Sequence, residues 1–331
     1  MTDVRHADDG RLAFYEDFQP PAGNFRTDVL EGLSKPQKAI SPKYFYDEAG
    51  SKIFDQITQA PEYYVTRTEL ALLDRIGPEL AERAGPGAVV LEPGAGSSVK
   101  VRKLIDALQS PSAFVGMDIS GEHVRSACGE IARDYPSLTV GAVCHDFTKP
   151  LNVSALPLPE GKRLVFFPGS TIGNFELSDA RSLLETLRTW MRTDDAMIIG
   201  VDLRKDGDVL EAAYDDAGHA TSDFNFNLVA RMNAELNGDL DPEGLVYRAF
   251  WNPYRSRVEM YLQALRDQTF TLGGREFVIR QHETIHTENS HKFTVSVFND
   301  LARSAGLSCK QVWISDDAPF SIHWLEVSRE A

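Results

Sequence analysis

The chain has 331 residues, 42% of them hydrophobic, and a formal net charge of −15, which is material for one large domain or two linked ones. So acidic a chain argues against nucleic acid or an anionic membrane surface as a partner, because phosphate contacts need clustered Lys and Arg; a small or proteinaceous substrate is expected instead. Cys128, Cys144 and Cys309 are isolated, which argues against a zinc site or disulfide framework and fits a reducing cytoplasm, and neither an apolar leader nor an 18-residue apolar run is present, so no signal peptide or membrane span is expected.

In chain order, residues 1–14 read as a loose, charged arm ahead of Pro20-Pro21. A helical pattern covers 25–33, and 36–42 is a linker. Tyr44, Tyr46, Tyr63 and Tyr64 then crowd one stretch. Such rings suit packing at a domain contact. They equally suit a pocket wall that offers hydroxyls and π-faces to a polar, cationic substrate. Both readings stand. A helix over 68–80 leads to the first strand.

That strand opens Val89-Val90-Leu91-Glu92-Pro93-Gly94-Ala95-Gly96-Ser97-Ser98, an apolar run, an acid, a glycine turn and the start of a helix. It reads as the first β-turn-α unit of a doubly wound sheet. Gly94 and Gly96 lack a Cβ, so a ligand can lie against the backbone there. Asp118 ends the second strand, near the roughly 20-residue offset at which a carboxylate meets ribose hydroxyls. A dinucleotide fingerprint wants a third glycine where this chain has Val99, and here an acid precedes the turn. The loop therefore favours S-adenosylmethionine (SAM), which has no pyrophosphate to cradle.

Val99, Leu104, Ile105 and Leu108 recur at helical spacing. Ser120 suits an N-cap, and Val124, Ala127, Cys128, Ile131 and Ala132 share one helical face. Cys128 thus reads as a small core residue. A third strand, 138–144, precedes His145-Asp146-Phe147. Asp146 suits the exocyclic amine of adenine and Phe147 suits its ring; an ordinary loop acid is the alternative. His145 reads as a plain surface or core histidine. The fourth strand, 163–168, runs into Gly169-Ser170-Thr171-Ile172-Gly173-Asn174-Phe175. Ligands bind beyond the carboxyl ends of such strands, and Asn174 offers a donor and an acceptor there. An amphipathic helix with Leu183, Leu184, Leu187, Trp190 and Met191 and a fifth strand, 196–201, complete the alternation. This cadence predicts a parallel sheet with right-handed crossovers.

The rhythm then breaks. Residues 206–218 and 224–237 look helical; 247–251, 257–265 and 270–280 look like antiparallel strands, the last broken at Gly273-Gly274. The block is too long for a loop and reads as a second domain. A helix, 292–305, and two closing strands, 309–314 and 320–327, follow. The expected fold class is α/β. A Rossmann-like SAM methyltransferase core, with a mainly parallel doubly wound sheet and a terminal antiparallel hairpin, carries a smaller α+β substrate-binding domain. The expected boundaries are 68–203 with 292–331 for the core and 15–67 with 204–291 for the substrate-binding domain, after the flexible arm 1–14.

The segments KYFYDEAGSKIFDQIT, PEYYVTRTE, LEPGAGSS, GSTIGNF, AYDDA, VEMYLQA and TENSHKF resemble the SAM-dependent histidine-specific Nα-methyltransferases of ergothioneine biosynthesis. Those enzymes convert L-histidine to Nα,Nα,Nα-trimethyl-L-histidine (hercynine). The resemblance runs through nearly the whole chain after the arm. It implies that Gly94, Lys100, Asp118, Asp146 and Phe147 hold SAM. It implies that Tyr63, Asn174, Tyr214, Glu288 and Ser290 hold histidine, with Tyr46 and Met260 lining the pocket. The glycine loop departs modestly, with Glu-Pro-Gly-Ala-Gly where other members can read Glu-Leu-Gly-Ser-Gly.

Methyl transfer is an in-line displacement at a sulfonium, so a neutral amine lone pair must face the methyl carbon, and orientation is the largest expected catalytic contribution. Asn174 is expected to accept from the α-amine, and Tyr63 and Tyr214 to fix the carboxylate or amine. Proton loss through a tyrosine or water would need no dedicated strong base. Glu288 is expected to pair with one imidazole N–H while Ser290 satisfies the other nitrogen; on residue type alone, Glu288 reads as a solvated strand-end charge. An aromatic wall could hold the methylated cation at about 0.5–2 kcal/mol. Arg67 and Arg257 read as structural ion-pair partners.

Three other functions compete. One is methylation of another small amino acid such as tryptophan, although Glu288 suits an imidazole better than an indole. An NAD-dependent oxidoreductase lacks its third glycine. A non-catalytic SAM-binding regulator would not need the substrate-side residues. A monomer without a metal is expected.

Overall fold

The computed structural model describes residues 12–20, 24–96 and 98–328. Most of the expected arm, residues 1–11, lies outside them. The described residues begin with strand β1 (Phe14–Asp17), helix α1 (Phe25–Leu33), the two-residue strand β2 (Lys38–Ala39), α2 (Glu48–Ile57) and the long α3 (Tyr64–Ala84). Regular alternation follows: β3 (Val89–Pro93), α4 (Val99–Ala107), β4 (Ala113–Asp118), α5 (Gly121–Asp134), β5 (Thr139–Cys144), β6 (Arg163–Phe167), α6 (Leu177–Arg188) and β7 (Ala196–Asp202).

These strands build an eight-stranded sheet in the order β1-β5-β4-β3-β6-β7, closed by a C-terminal hairpin, β13 (Leu307–Ile314) and β14 (Phe320–Val327), with β14 beside β7. The first six strands are parallel and the hairpin is antiparallel. Strand order reverses between β3 and β6, which places the ligand crevice of such a sheet at their carboxyl ends. Strands β3 and β7 are buried along their whole length, as parallel strands covered on both faces must be. Val90 faces a core shared with α3, α4 and α5, whereas Val89 and Leu91 face one shared with α6.

The first strand differs from expectation. Phe14–Asp17 pairs in parallel with β5 and so extends the large sheet, where a loose arm and the start of the substrate-binding domain were expected. Its signal is too short to read, and the cause of its docking lies elsewhere in the chain. A Cβ on Gly141 of β5 would come within 2.1 Å of the Phe14 ring, so the missing side chain makes the seat for that ring. Gly141→Ala is expected to expel Phe14 and loosen this edge, at a cost of about 1–3 kcal/mol. A lower Tm and faster proteolysis near residue 17 would register it.

Between β7 and the hairpin lies the smaller lobe. It contains α7 (Gly207–Tyr214), α8 (Ala220–Leu236), β8 (Leu245–Asn252), β9 (Arg257–Ala264), β10 (Gln268–Leu272), β11 (Arg275–Ile279) and β12 (Thr284–His291). Helix α9 (Val295–Ser304) then returns to the large sheet. Strands β10 and β11 form the hairpin foreseen at Gly273-Gly274, both of which adopt positive φ. The other strands make a sheet in the order β2-β12-β9-β8. Strand β12 is a second departure from expectation, for its sequence, Thr-Ile-His-Thr-Glu-Asn-Ser-His, is nearly all polar. It is held by its ladder with β9, which carries a bulge between His286 and Glu288. Helix α9 accordingly starts later than expected, and Phe293 bridges to Leu203 just beyond β7. Among the described residues no helix is long and apolar enough to cross a membrane.

Candidate active site

The glycine turn after β3 folds back onto β4. Gly94 has φ +73, and the N–H groups of Gly94 and Ala95 both donate to the Met117 carbonyl, at 2.7 and 3.0 Å. The Phe147 ring lies over this turn, 3.4 Å from where a Gly94 Cβ would stand. Asp118, at the tip of β4, accepts from the Ser120 N–H at 2.8 Å, and burial pushes its carboxyl up. Asp146 accepts from the backbone and hydroxyl of Thr148, at 3.0 and 2.6 Å, and so holds the turn that carries Phe147. Gly94, Gly96, Asp118, Asp146 and Phe147 thus gather at the carboxyl ends of three adjacent strands.

Lys100 joins them from α4, and its ammonium lies 2.7 Å from Glu69 of α3. Glu69 is buried and takes the Gly169 N–H with both oxygens, at 3.0 and 2.8 Å. One carboxylate therefore ties α3, α4 and the end of β6 beneath the turn. Burial pushes the neighbouring Glu92 up to about 8, with Lys100 opposing and Glu69 reinforcing the shift. Sequence reasoning did not single out Glu69; an acid on the inner face of an amphipathic helix was its only signal.

On the other side of the crevice, Asn174 ends the turn after β6 and donates to Glu288 Oε1 of β12 at 2.9 Å. Glu288 is buried, contrary to the solvated charge that residue type suggested. Its carboxyl is pushed up to about 8 by burial, with Lys292 opposing. Met260 stands opposite it on β9, and Ser290 follows two residues on, on the same face. The Ser290 Oγ lies 2.8 Å from the Tyr214 hydroxyl. Tyr63, at the N-terminus of α3, meets the Tyr214 ring edge to face at 5.9 Å. Tyr46 is 47% exposed and packs edge-on against Phe54 and Phe224. Burial raises the hydroxyls of Tyr63 and Tyr214, and the Glu288 charge reaches both. Hydrogen bonds, a ring contact and strand pairing thus connect Asn174, Glu288, Met260, Ser290, Tyr214 and Tyr63 in one cluster, with Tyr46 on the adjoining aromatic group of Phe54 and Phe224.

A buried ion network that sequence reasoning missed supports this wall. Lys292 and Asp202 are both fully buried and 2.7 Å apart. Lys292 also donates to Tyr214 Oη at 2.7 Å and Ser290 Oγ at 3.0 Å. Asp202 accepts from the Tyr64 hydroxyl at 2.6 Å and from Lys205, which also reaches Tyr64 and the Leu203 carbonyl. Burial pushes Asp202 up, but the two lysines outweigh it and hold the carboxyl below its usual range. Burial brings Lys205 down to about 8 against the pull of Asp202. An acid at the end of β7 and a lysine three residues later were the legible traces. Tyr64 is thus a packing and network residue, one outcome left open for the tyrosine-rich stretch. On the opposite face of β12, Arg257 pairs with Glu176 and Glu259, at 2.6 and 2.7 Å, and Asn289 donates to Glu176 at 3.0 Å. Arg257 is the structural ion-pair partner expected, whereas Arg67 contacts the Ala60 carbonyl.

The family model of SAM-dependent histidine-specific methyltransferases matches residues 25–327. The chain belongs to that family. It is 37% identical over 318 residues to a histidine N-alpha-methyltransferase of Mycolicibacterium smegmatis, covering 94% of this chain and 97% of that protein. A histidine N-alpha-methyltransferase of Mycobacterium tuberculosis is 37% identical over 303 residues, covering 90% and 93%. Ergothioneine biosynthesis protein 1 of Neurospora crassa is 28% identical, covering 92% of this chain but 35% of its own length. This histidine-specific methyltransferase uses SAM as its methyl donor, and the oxidoreductase and regulator readings fall away. The turn at Gly94 fits such a donor, because its backbone is bare and a ring, Phe147, closes over it.

Proposed function

We propose that this histidine-specific methyltransferase carries its substrate through three successive Nα-methylations, from L-histidine to hercynine, at the opening of ergothioneine biosynthesis. The observation that supports this most directly is the Asn174–Glu288 hydrogen bond, which joins the turn after β6 of the large sheet to a buried carboxylate of the smaller lobe suited to an imidazole. Gly94, Gly96, Lys100, Asp118, Asp146 and Phe147 would hold SAM, which supplies an electrophilic methyl on a sulfonium. Asp118 suits the ribose hydroxyls; Asp146 and Phe147 suit the adenine.

Asn174, fixed by Glu288, keeps its carbonyl oxygen for the α-amine and aims the lone pair. Tyr63 and Tyr214 fix the carboxylate or amine, and Tyr46 and Met260 complete the wall. Burial holds Tyr63 and Tyr214 protonated, so they serve as donors and as π-faces for the growing cation. We read 68–203 with 292–331 as the SAM-binding domain and 204–291, with the tyrosine-rich segment before 68, as the substrate-binding domain. We read the enzyme as a cytoplasmic monomer, and the net charge of −15 supports the absence of nucleic-acid and anionic-membrane partners. Incubation with L-histidine and SAM, read by mass spectrometry, should yield mono-, di- and trimethyl products. Tryptophan as the better acceptor would overturn the proposal.

Gly94→Ala tests the cofactor end. Positive φ strains any other residue, by about 1–2 kcal/mol, so SAM affinity should fall roughly tenfold while histidine affinity holds. Calorimetry with each ligand separates the two. The pH dependence tests the other end. Ionised Glu288 is the form that accepts an imidazole N–H, so histidine affinity should rise as pH climbs towards about 8. A flat profile from pH 6 to 8 in titration calorimetry would contradict the pairing.

A further inference from the structure

The hydrogen-bond directions around Lys292 constrain the pocket in a way its individual contacts do not. Three groups face its ammonium: the Asp202 carboxylate at 2.7 Å, the Tyr214 hydroxyl at 2.7 Å and the Ser290 hydroxyl at 3.0 Å. An ammonium has three protons and no lone pair, so both hydroxyls must accept from it. The two hydroxyl oxygens are also 2.8 Å apart, so one of them donates to the other. Whichever donates, one O–H proton of the pair remains, and it cannot point at Lys292. Ser290 shares one face of β12 with Glu288, whose charge also reaches Tyr214, so the remaining proton is left for the side that Glu288 shares.

We propose that Lys292 is a positioning residue that fixes the polarity of the Ser290–Tyr214 hydroxyl pair, so that the pocket presents one hydroxyl donor beside the Glu288 acceptor and selects a neutral imidazole. This rests on the histidine reading above. A neutral imidazole has one N–H and one bare nitrogen and satisfies both groups. An imidazolium has two donors and meets an O–H head-on. An indole or pyrrole has no bare nitrogen and leaves the O–H unpaired. Specificity of this kind comes from stranding a buried polar group, which discriminates far better than shape.

The charges that bear on Lys292 come from several elements. They are Asp202 at the end of β7, Lys205 in the loop after it, Glu288 on β12, and Tyr64 of α3 through Asp202. Burial pushes Lys292 down and Asp202 opposes it. Lys292→Met removes one cation but leaves Asp202 paired with Lys205 and Tyr64, so no buried anion is stranded. The hydroxyl pair loses its fixed donor and becomes free to turn a lone pair to the pocket.

The experiment compares kcat/KM for L-histidine with that for an analogue whose ring keeps the N–H but carries a C–H in place of the bare nitrogen. In the natural enzyme the ratio should be roughly 10–100, the cost of one unpaired buried hydroxyl. In K292M it should fall to within about threefold of unity, while SAM affinity holds. Y214F is the second variant. Ser290 still accepts from Lys292 there and still turns its proton to the pocket, so the ratio should survive even as both rates drop. A ratio unchanged in K292M, or abolished in Y214F, overturns the assignment of Lys292. Should K292M fail to fold, Y214F decides alone. Failure of the natural enzyme to methylate histidine would instead overturn the histidine reading. A merely structural lysine would lower both rates together and leave the ratio intact.

Discussion

Glu288→Ala should weaken L-histidine binding by roughly 10–150-fold, the worth of a hydrogen bond to a charged group, and leave SAM binding unchanged. The buried carboxylate accepts from Asn174 and is poised to accept from the ring, so its loss strands two donors. Glu288→Gln keeps one acceptor and should fall between. Calorimetry with histidine in the presence of S-adenosylhomocysteine reads the effect directly, and an unaltered dissociation constant would refute the role. A second signature lies in stability. Burial raises this carboxyl to about 8, so the stability it confers is complete below the ordinary carboxylate range and is lost as pH rises through about 8. The Tm of the ligand-free Gln variant should therefore be less sensitive to pH between 5 and 8.

Asp202→Ala should cost about 3–5 kcal/mol or more of folding stability, because it leaves Lys292 and Lys205 buried without a counter-charge. Against a typical total of about 5–15 kcal/mol, that approaches unfolding at body temperature. The linkage runs opposite to that of Glu288. The two lysines hold Asp202 below its usual range, so its contribution is present above the ordinary aspartate range and is lost as pH falls beneath it. Denaturant titration of the variant would measure the loss, and a midpoint unmoved from that of the natural protein would contradict it. Lys292→Met, which keeps the Asp202–Lys205 pair, should be far milder.

Most of the large sheet was legible because parallel strands buried on both faces are unbroken apolar runs, as in Val89–Leu91 and 196–201. The glycine turn and Asp118 were legible for a different reason: they combine bare backbone and a carboxylate at a fixed spacing. Strand β12 was not, since it is polar at all but Ile285 and is made a strand by β9 alongside it. On residue type alone Glu288 therefore reads as a solvated charge. Phe14–Asp17 was hidden because its seat is a missing side chain at Gly141. The Lys292–Asp202 pair was hidden because its partners come from β7 and from the far end of the inserted lobe, which no local pattern links.

The Asn174–Glu288 bond also bears on the thermodynamics of capture. Its partners come from a loop of the large sheet and a strand of the small one, so the bond is a tie between the two sheets as well as a part of the site. A hydrogen bond made within the fold itself holds both side chains in one rotamer, which lowers the side-chain entropy that histidine has to remove on binding. Association should be governed by desolvation of the zwitterion, and the heat capacity change on binding should be small.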